Sequence, residues 1–180
     1  MSEVPQIAFA HVGLNVRNLE RMERFYTGLL GFIVTDRGNL GAARFVFLSR
    51  DAREHHQLVL VSGRTENLDY SALNQISLRV PDLAALRYFH AHAAAHGGSD
   101  IQPVTHGNAI SVYLRDPEGN RIEFYIDTPW YVTQPLRAPI DLARSDAVLW
   151  QEVEALARSL PGFRPVAEWR TELESRISAA

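Results

Sequence analysis

Two stretches of this chain spell the same succession of elements, strand, helix and three strands, and that duplication limits the fold more than any other feature. The first copy opens with Ile7 to Val16, where Ala8, Ala10, Val12, Leu14 and Val16 alternate with Phe9, His11, Gly13 and Asn15. That two-residue period is the mark of a strand with one packed face. Asn18 is placed to cap a helix running to Leu30, with Leu19, Met22, Phe25, Tyr26 and Leu29 at helical spacing and Gly31 to stop it. Strand-like runs follow at Phe32 to Asp36, Ala43 to Leu48 and Gln57 to Ser62.

The second copy repeats the order. Leu73 to Val80 alternates again, and Asp82 caps a helix through Ala95 that ends at Gly97 and Gly98. Extended runs follow at Ile101 to Val104, Ala109 to Leu114 and Arg121 to Asp127, the last two joined by a turn at Asp116 to Asn120. Laid over each other, the copies put His11 on Gln75, Phe25 near Phe89, Phe47 on Tyr113 and Gln57 on Glu123. Neither copy is large enough to bury both faces of its sheet. The expected fold is therefore α+β: two β-α-β-β-β units forming one curved mixed sheet with a central cleft, plus C-terminal helices. Residues 1–128 make the paired domain, with units at 7–63 and 72–127. Residues 129–180 make a proline-punctuated arm and two helices, from near Ser145 to Leu160 and from about Val166 to Ile177. Leu149, Val153, Leu156 and Leu160 form an apolar stripe that suits core packing or a subunit contact.

Composition narrows the chemistry. With 180 residues, 46% of them apolar, there is material for one ordinary core. The net charge of -3 and the scattered basic residues, all 18 of them Arg, argue against a nucleic-acid groove or a membrane-binding patch and leave small molecules as partners. No apolar run approaches membrane length, and the N-terminus has no leader pattern, so the expected location is the cytoplasm. There is no cysteine, so a metal would have to be held by nitrogen and oxygen donors. His11, Gln75 and Glu123 each lie opposite the apolar stripe of their strand. An imidazole, an amide and a carboxylate on three strands can hold a divalent cation and leave open positions. A lone strand histidine is most often just a hydrogen-bonded residue. Glu123 shifts the balance, because an unpaired carboxylate at an inward strand position costs several kcal/mol.

The segments AHVGLNVRNLERMERFYTGLLGF and LNQISLRVPDLAALRYFHAHAAAHGG resemble the vicinal-oxygen-chelate superfamily of glyoxalase I, antibiotic-resistance proteins and type I extradiol ring-cleaving dioxygenases. The resemblance covers about Ile7 to Asp127. From Val104 to Glu123 it is closest to the extradiol enzymes: His106, a spacer, an apolar residue with Tyr113, then Asp-Pro, Gly and Glu123. It implies that His11 and Glu123 are ligands of a non-haem Fe(II), with Mn(II), Ni(II) or Zn(II) as alternative metals. It further implies that Tyr113 hydrogen-bonds a substrate oxygen, that His106 positions substrate or oxygen, and that His56, in His55-His56-Gln57-Leu58, is the acid-base catalyst. His55 is expected on the opposite side of the chain, and His90, His92 and His96 on a helix surface. The departure is Gln75, which stands where these enzymes place a second ligating histidine; an amide oxygen is the harder and poorer donor. The resemblance thus implies a metal-dependent dioxygenase that cleaves a catechol-like diol with molecular oxygen; paired-unit folds of this size often dimerise and the C-terminal helices offer an apolar surface, so a homodimer is expected. The alternatives are a glyoxalase- or isomerase-like lyase, which Gln57 in place of a Glu disfavours, and a metal-free aromatic-binding protein of the same fold.

Overall fold

Each copy of the repeat builds its own hydrogen-bonded ladder. In the computed structural model, which describes residues 8–65 and 73–178, the first compact unit contains β1 (Val12–Val16), α1 (Leu19–Gly28), β2 (Ile33–Leu40), β3 (Ala43–Ser49) and β4 (Leu58–Ser62). Its strands are ordered β1-β4-β3-β2, with β1 parallel to β4 and the other neighbours antiparallel. The second unit contains β5 (Ile76–Arg79), α2 (Leu83–His92), β6 (Ser99–Thr105), β7 (Ala109–Arg115) and β8 (Arg121–Asp127). The C-terminal residues pack with it: β9 (Trp130–Tyr131), β10 (Ala138–Pro139), α3 (Asp146–Arg158), β11 (Arg164–Pro165) and α4 (Val166–Ser178). Its main ladder runs β10-β6-β7-β8-β5, with β5 parallel to β8. The α+β class and mixed sheets are as expected, but among the described residues the strands pair in separate ladders, four-stranded in the first unit and five-stranded in the second with the two-stranded β9-β11 beside it in sequence, rather than in a single continuous one.

Local chemistry explains the element ends. Asn18, Asp82 and Ser145 each accept a hydrogen bond from a backbone N–H of the first helical turn of α1, α2 and α3. Leu19, Met22, Phe25 and Tyr26 form the buried stripe of α1; Leu83, Leu86 and Phe89 do the same for α2, where Phe89 stacks on Phe124 of β8 with ring centroids 3.9 Å apart. On β7 and β8 the buried residues Val112, Leu114, Ile122, Phe124 and Ile126 supply apolar area. Each such side chain contributes about 1.5–3 kcal/mol when fully buried. In α3 the buried stripe is Leu149, Val153 and Ala157, with Leu156 and Leu160 only half-buried. His90, His92 and His96 are exposed, as expected.

Several boundaries differ from expectation. β1 begins at Val12; Ala8, Phe9, Ala10 and His11 precede it as irregular, exposed chain, and Ile7 lies outside the described residues. Alternation alone cannot tell a paired strand from an extended approach, and this stretch of β1 has β4 beside it only from Leu58 on. β2 continues to Leu40, carried by antiparallel pairing with β3 around the left-handed Gly41. α2 gives way to a short 3-10 turn at Ala94–His96, closed by Gly97 at φ 87°. The register also corrects the overlay of the copies. Paired positions on the outer strands are 46 residues apart in both units, Val12 with Leu58 and Ile76 with Ile122. His11 then corresponds to Gln75 and Phe47 to Tyr113, as expected, but the counterpart of Glu123 is Val59, and Gln57 corresponds to Arg121.

Candidate functional site

Alternation along β5, β7 and β8 sends apolar side chains to α2 and polar ones to the other face. Antiparallel pairing sets Tyr113 opposite Glu123, and parallel pairing sets Ser77 beside it, so the polar face converges on one carboxylate. Glu123 is only 6% exposed. Its Oε2 accepts from Ser77 Oγ at 2.5 Å and from Gln75 Nε2 at 2.9 Å, and its Oε1 accepts from Ser111 Oγ at 2.8 Å and lies 3.5 Å from His106 Nε2. Burial on its own would raise this carboxyl. The hydrogen bonds from His106 in its protonated form and from Ser77, Tyr113 and Ser111 outweigh it and hold the group at about 2, so Glu123 is ionised at neutral pH.

His106 is the second member. Its Nδ1 lies 2.5 Å from the carbonyl oxygen of Leu136. A carbonyl only accepts, so Nδ1 carries the proton and Nε2 faces the Tyr113 hydroxyl, 3.0 Å away. The hydrogen bond to Glu123 raises the imidazole above its ordinary value, against the opposing effect of burial. Tyr113 is pushed up to about 12, by burial first and then by the neighbouring carboxylate, and therefore stays a phenol.

The loop carrying His106 is held by the C-terminal arm. Gly107 adopts φ +74°, and its carbonyl accepts from Thr128 Oγ1 and Trp130 Nε1, while Gln134 Nε2 donates to the carbonyl of His106. Trp130 is buried against Trp150 and Phe163, and Tyr131 stacks on Trp169. Trp130 and Tyr131 are thus packing residues that fix the arm.

In the first unit, His11 and His56 bring their ring centroids to 4.4 Å, and both His55 and His56 pack against Phe47. His55 is not on the opposite side of the chain: its Nδ1 lies 2.9 Å from Nδ1 of His56, so one ring donates and the other accepts. Burial, followed by the nearby His11 and His55, lowers the pKa of His56 and keeps it neutral. The candidate residues therefore form two groups, His11 with His56 in the first unit and Gln75, His106, Tyr113 and Glu123 in the second. Ser77, Ser111 and the Leu136 carbonyl were not anticipated. Ser77 shares the polar alternation of Gln75, which was a usable signal; the other two depend on register and on a non-local arm.

Residues 8–124 match the model of the Glyoxalase/Bleomycin resistance protein/Dioxygenase superfamily. The chain belongs to that superfamily. Among its relatives, a biphenyl-2,3-diol 1,2-dioxygenase of Rhodococcus globerulus is 28% identical over 138 residues, 73% of this chain and 70% of that enzyme. A catechol-2,3-dioxygenase of Bacillus subtilis is 31% identical over 125 residues, 66% of this chain, but the chain spans only 42% of that enzyme's length. The solved superfamily domain from Frankia sp. EAN1pec has a TM-score of 0.59 at 21% identity, covering 70% of this chain and all of that one; it shares the fold.

The superfamily fold raises the question of a divalent metal, and the donor set answers it in part. Among the described residues no cluster of three or more His, Asp or Glu side chains is arranged to hold a cation. Gln75 and Glu123, however, bring an amide end and a carboxylate oxygen to 2.9 Å, about the separation of adjacent ligands in an octahedral shell with bonds of about 2.1 Å. Gln75 turns its amide nitrogen to the carboxylate; rotating the amide by half a turn exchanges nitrogen for oxygen at little steric cost. These two donors fit a hard divalent cation as part of a shell, once the amide gives up its hydrogen bonds to Glu123 and Ser77.

Proposed function

We propose that this protein is a metal-dependent extradiol-type dioxygenase acting on a catechol-like aromatic diol. The observation that carries the reading is the grouping of an ionised Glu123, a phenolic Tyr113 and an imidazole with a defined tautomer, His106, in a superfamily member whose relatives include diol dioxygenases. Gln75 and Glu123 would hold the metal from the second unit, with Fe(II) the first candidate; His11 is added as a ligand by the resemblance to the extradiol enzymes. When bound, such a metal supplies Lewis-acid activation of a diol and a binding position for oxygen. His106 Nε2 orients the phenol until Tyr113, protonated across the working range, turns its single O–H to a substrate oxygen. His56, kept neutral by its surroundings, accepts a diol proton and later returns one.

One observation favours a second reading. Both oxygens of Glu123 already accept hydrogen bonds, an arrangement that suits a metal-free binding protein for aromatic ligands. Metal analysis after anaerobic Fe(II) loading, followed by oxygen uptake with a panel of catechols, separates the two. Stoichiometric iron and diol-dependent oxygen consumption are expected. Aromatic ligands that quench Trp fluorescence in a protein that takes up neither iron nor oxygen would establish the second reading.

A further inference from the structure

The polar face of the second ladder and its rim carry four guanidinium groups in two different situations. Arg79 pairs with Asp127 at 2.9 Å, and Arg115 lies 3.5 Å from Asp100. Arg121 and Arg137 have no carboxylate within ion-pair distance among the described residues, and both approach the same ring. The Cζ of Arg137 lies 4.8 Å from the centroid of Tyr113 and that of Arg121 lies 6.0 Å from it. Arg137 also donates to Gln102 Oε1. Glu123 makes no ion pair with either; its oxygens face Ser77, Gln75, Ser111 and His106. Each is a cation without a carboxylate partner among the described residues, and the ring face offsets that charge only in part. Arg121 is half-buried, so it is also partly desolvated. An anionic ligand group removes this electrostatic cost, and a planar guanidinium matches a carboxylate through two parallel N–H donors.

We propose that Arg121 and Arg137 recognise an acidic substituent, so that the ligand of this face is an aromatic compound carrying a carboxylate. The inference rests on the diol reading for the hydroxyl groups, but the acid recognition is separable from it. The test is calorimetric titration of the full chain with 3,4-dihydroxyphenylacetate and its methyl ester, and with phenylacetate and its methyl ester, at low and high salt. In both pairs the acid binds about tenfold tighter than its ester, and the advantage shrinks with salt. In Arg121→Gln and Arg137→Gln, checked for folding by circular dichroism, the advantage falls below about threefold. Equal or weaker binding of the acids, or a preference undiminished in both variants, overturns the proposal. The wild-type acid-against-ester comparison decides the matter even where a variant fails to fold. Arginine-dependent preference for phenylacetate, with no oxygen uptake on any diol, keeps the acid recognition and removes the dioxygenase reading. Oxygen uptake as efficient with the neutral diol ester as with the acid does the reverse.

Discussion

At the scale of the residue, the buried carboxylate of Glu123 organises its surroundings. Ser111 is wholly buried and donates to Oε1, so Ser111→Ala leaves a charged acceptor short of a partner. Urea denaturation should show a loss of about 1.5–3 kcal/mol, and the Glu123 pKa, followed by carbon NMR, should rise. The two shifted groups give opposite pH dependences in the metal-free protein. Glu123 is lowered on folding, so its contribution is present above the ordinary carboxylate value and is lost as pH falls toward about 2. His106 is raised, so its contribution is full below the ordinary imidazole value and is lost as pH climbs through the raised one. Stability measured against pH should be greatest between those limits, and His106→Gln should abolish the alkaline decline and also shrink the acid-side one, since His106 is the first of the hydrogen bonds that hold Glu123 down. His56→Ala, which removes the assigned base, should lower kcat by about 10²–10⁴ in an oxygen-electrode assay while leaving the circular dichroism spectrum unchanged.

Elements set where those residues can act, and here the sequence was readable unevenly. Helices α1, α2 and α3 were legible because a capping side chain, an apolar stripe and a terminator coincide at each of the first two, and a cap and stripe at the third. Strand existence was legible from alternation, whereas strand pairing was not. Gln57 and Glu123 look equivalent by position along the chain, yet the ladders pair Glu123 with Ser77 and make Val59 its counterpart, because register is set by cross-strand packing. Ser77 and Ser111 reach Glu123 only through that register. The turn joining β7 and β8 was readable, and its mechanism is now specific: Asp116 accepts from the backbone N–H groups of Glu118 and Asn120 and from Asn120 Nδ2. The loop before β7 is equally exacting. A Cβ on Gly107 would sit 2.5 Å from Val132 Cγ2 at a φ of +74°. Gly107→Ala should therefore destabilise by about 1–3 kcal/mol in thermal unfolding and loosen the His106 side chain, seen as sharper imidazole resonances by NMR.

For the whole molecule, the superfamily match ends at residue 124, yet the arm beyond it supplies the Leu136 carbonyl and the clamp on Gly107. Deleting residues 129–180 should lower stability, since the hydrogen bonds from the arm to the His106–Gly107 loop are lost; denaturation of the truncated chain checks this. Among the described residues no helix is long and apolar enough to cross a membrane. The outer strands of both units pair at the same 46-residue interval, although the hairpins inside them are cut differently. From Leu48 to its partner Leu58 the chain takes a longer path than from Leu114 to its partner Ile122. The added length carries His55 and His56. Duplication thus left two frames of one gauge whose inner loops were free to diverge, and a gene of this kind can acquire new chemistry by lengthening one bend while the ladder around it keeps its count.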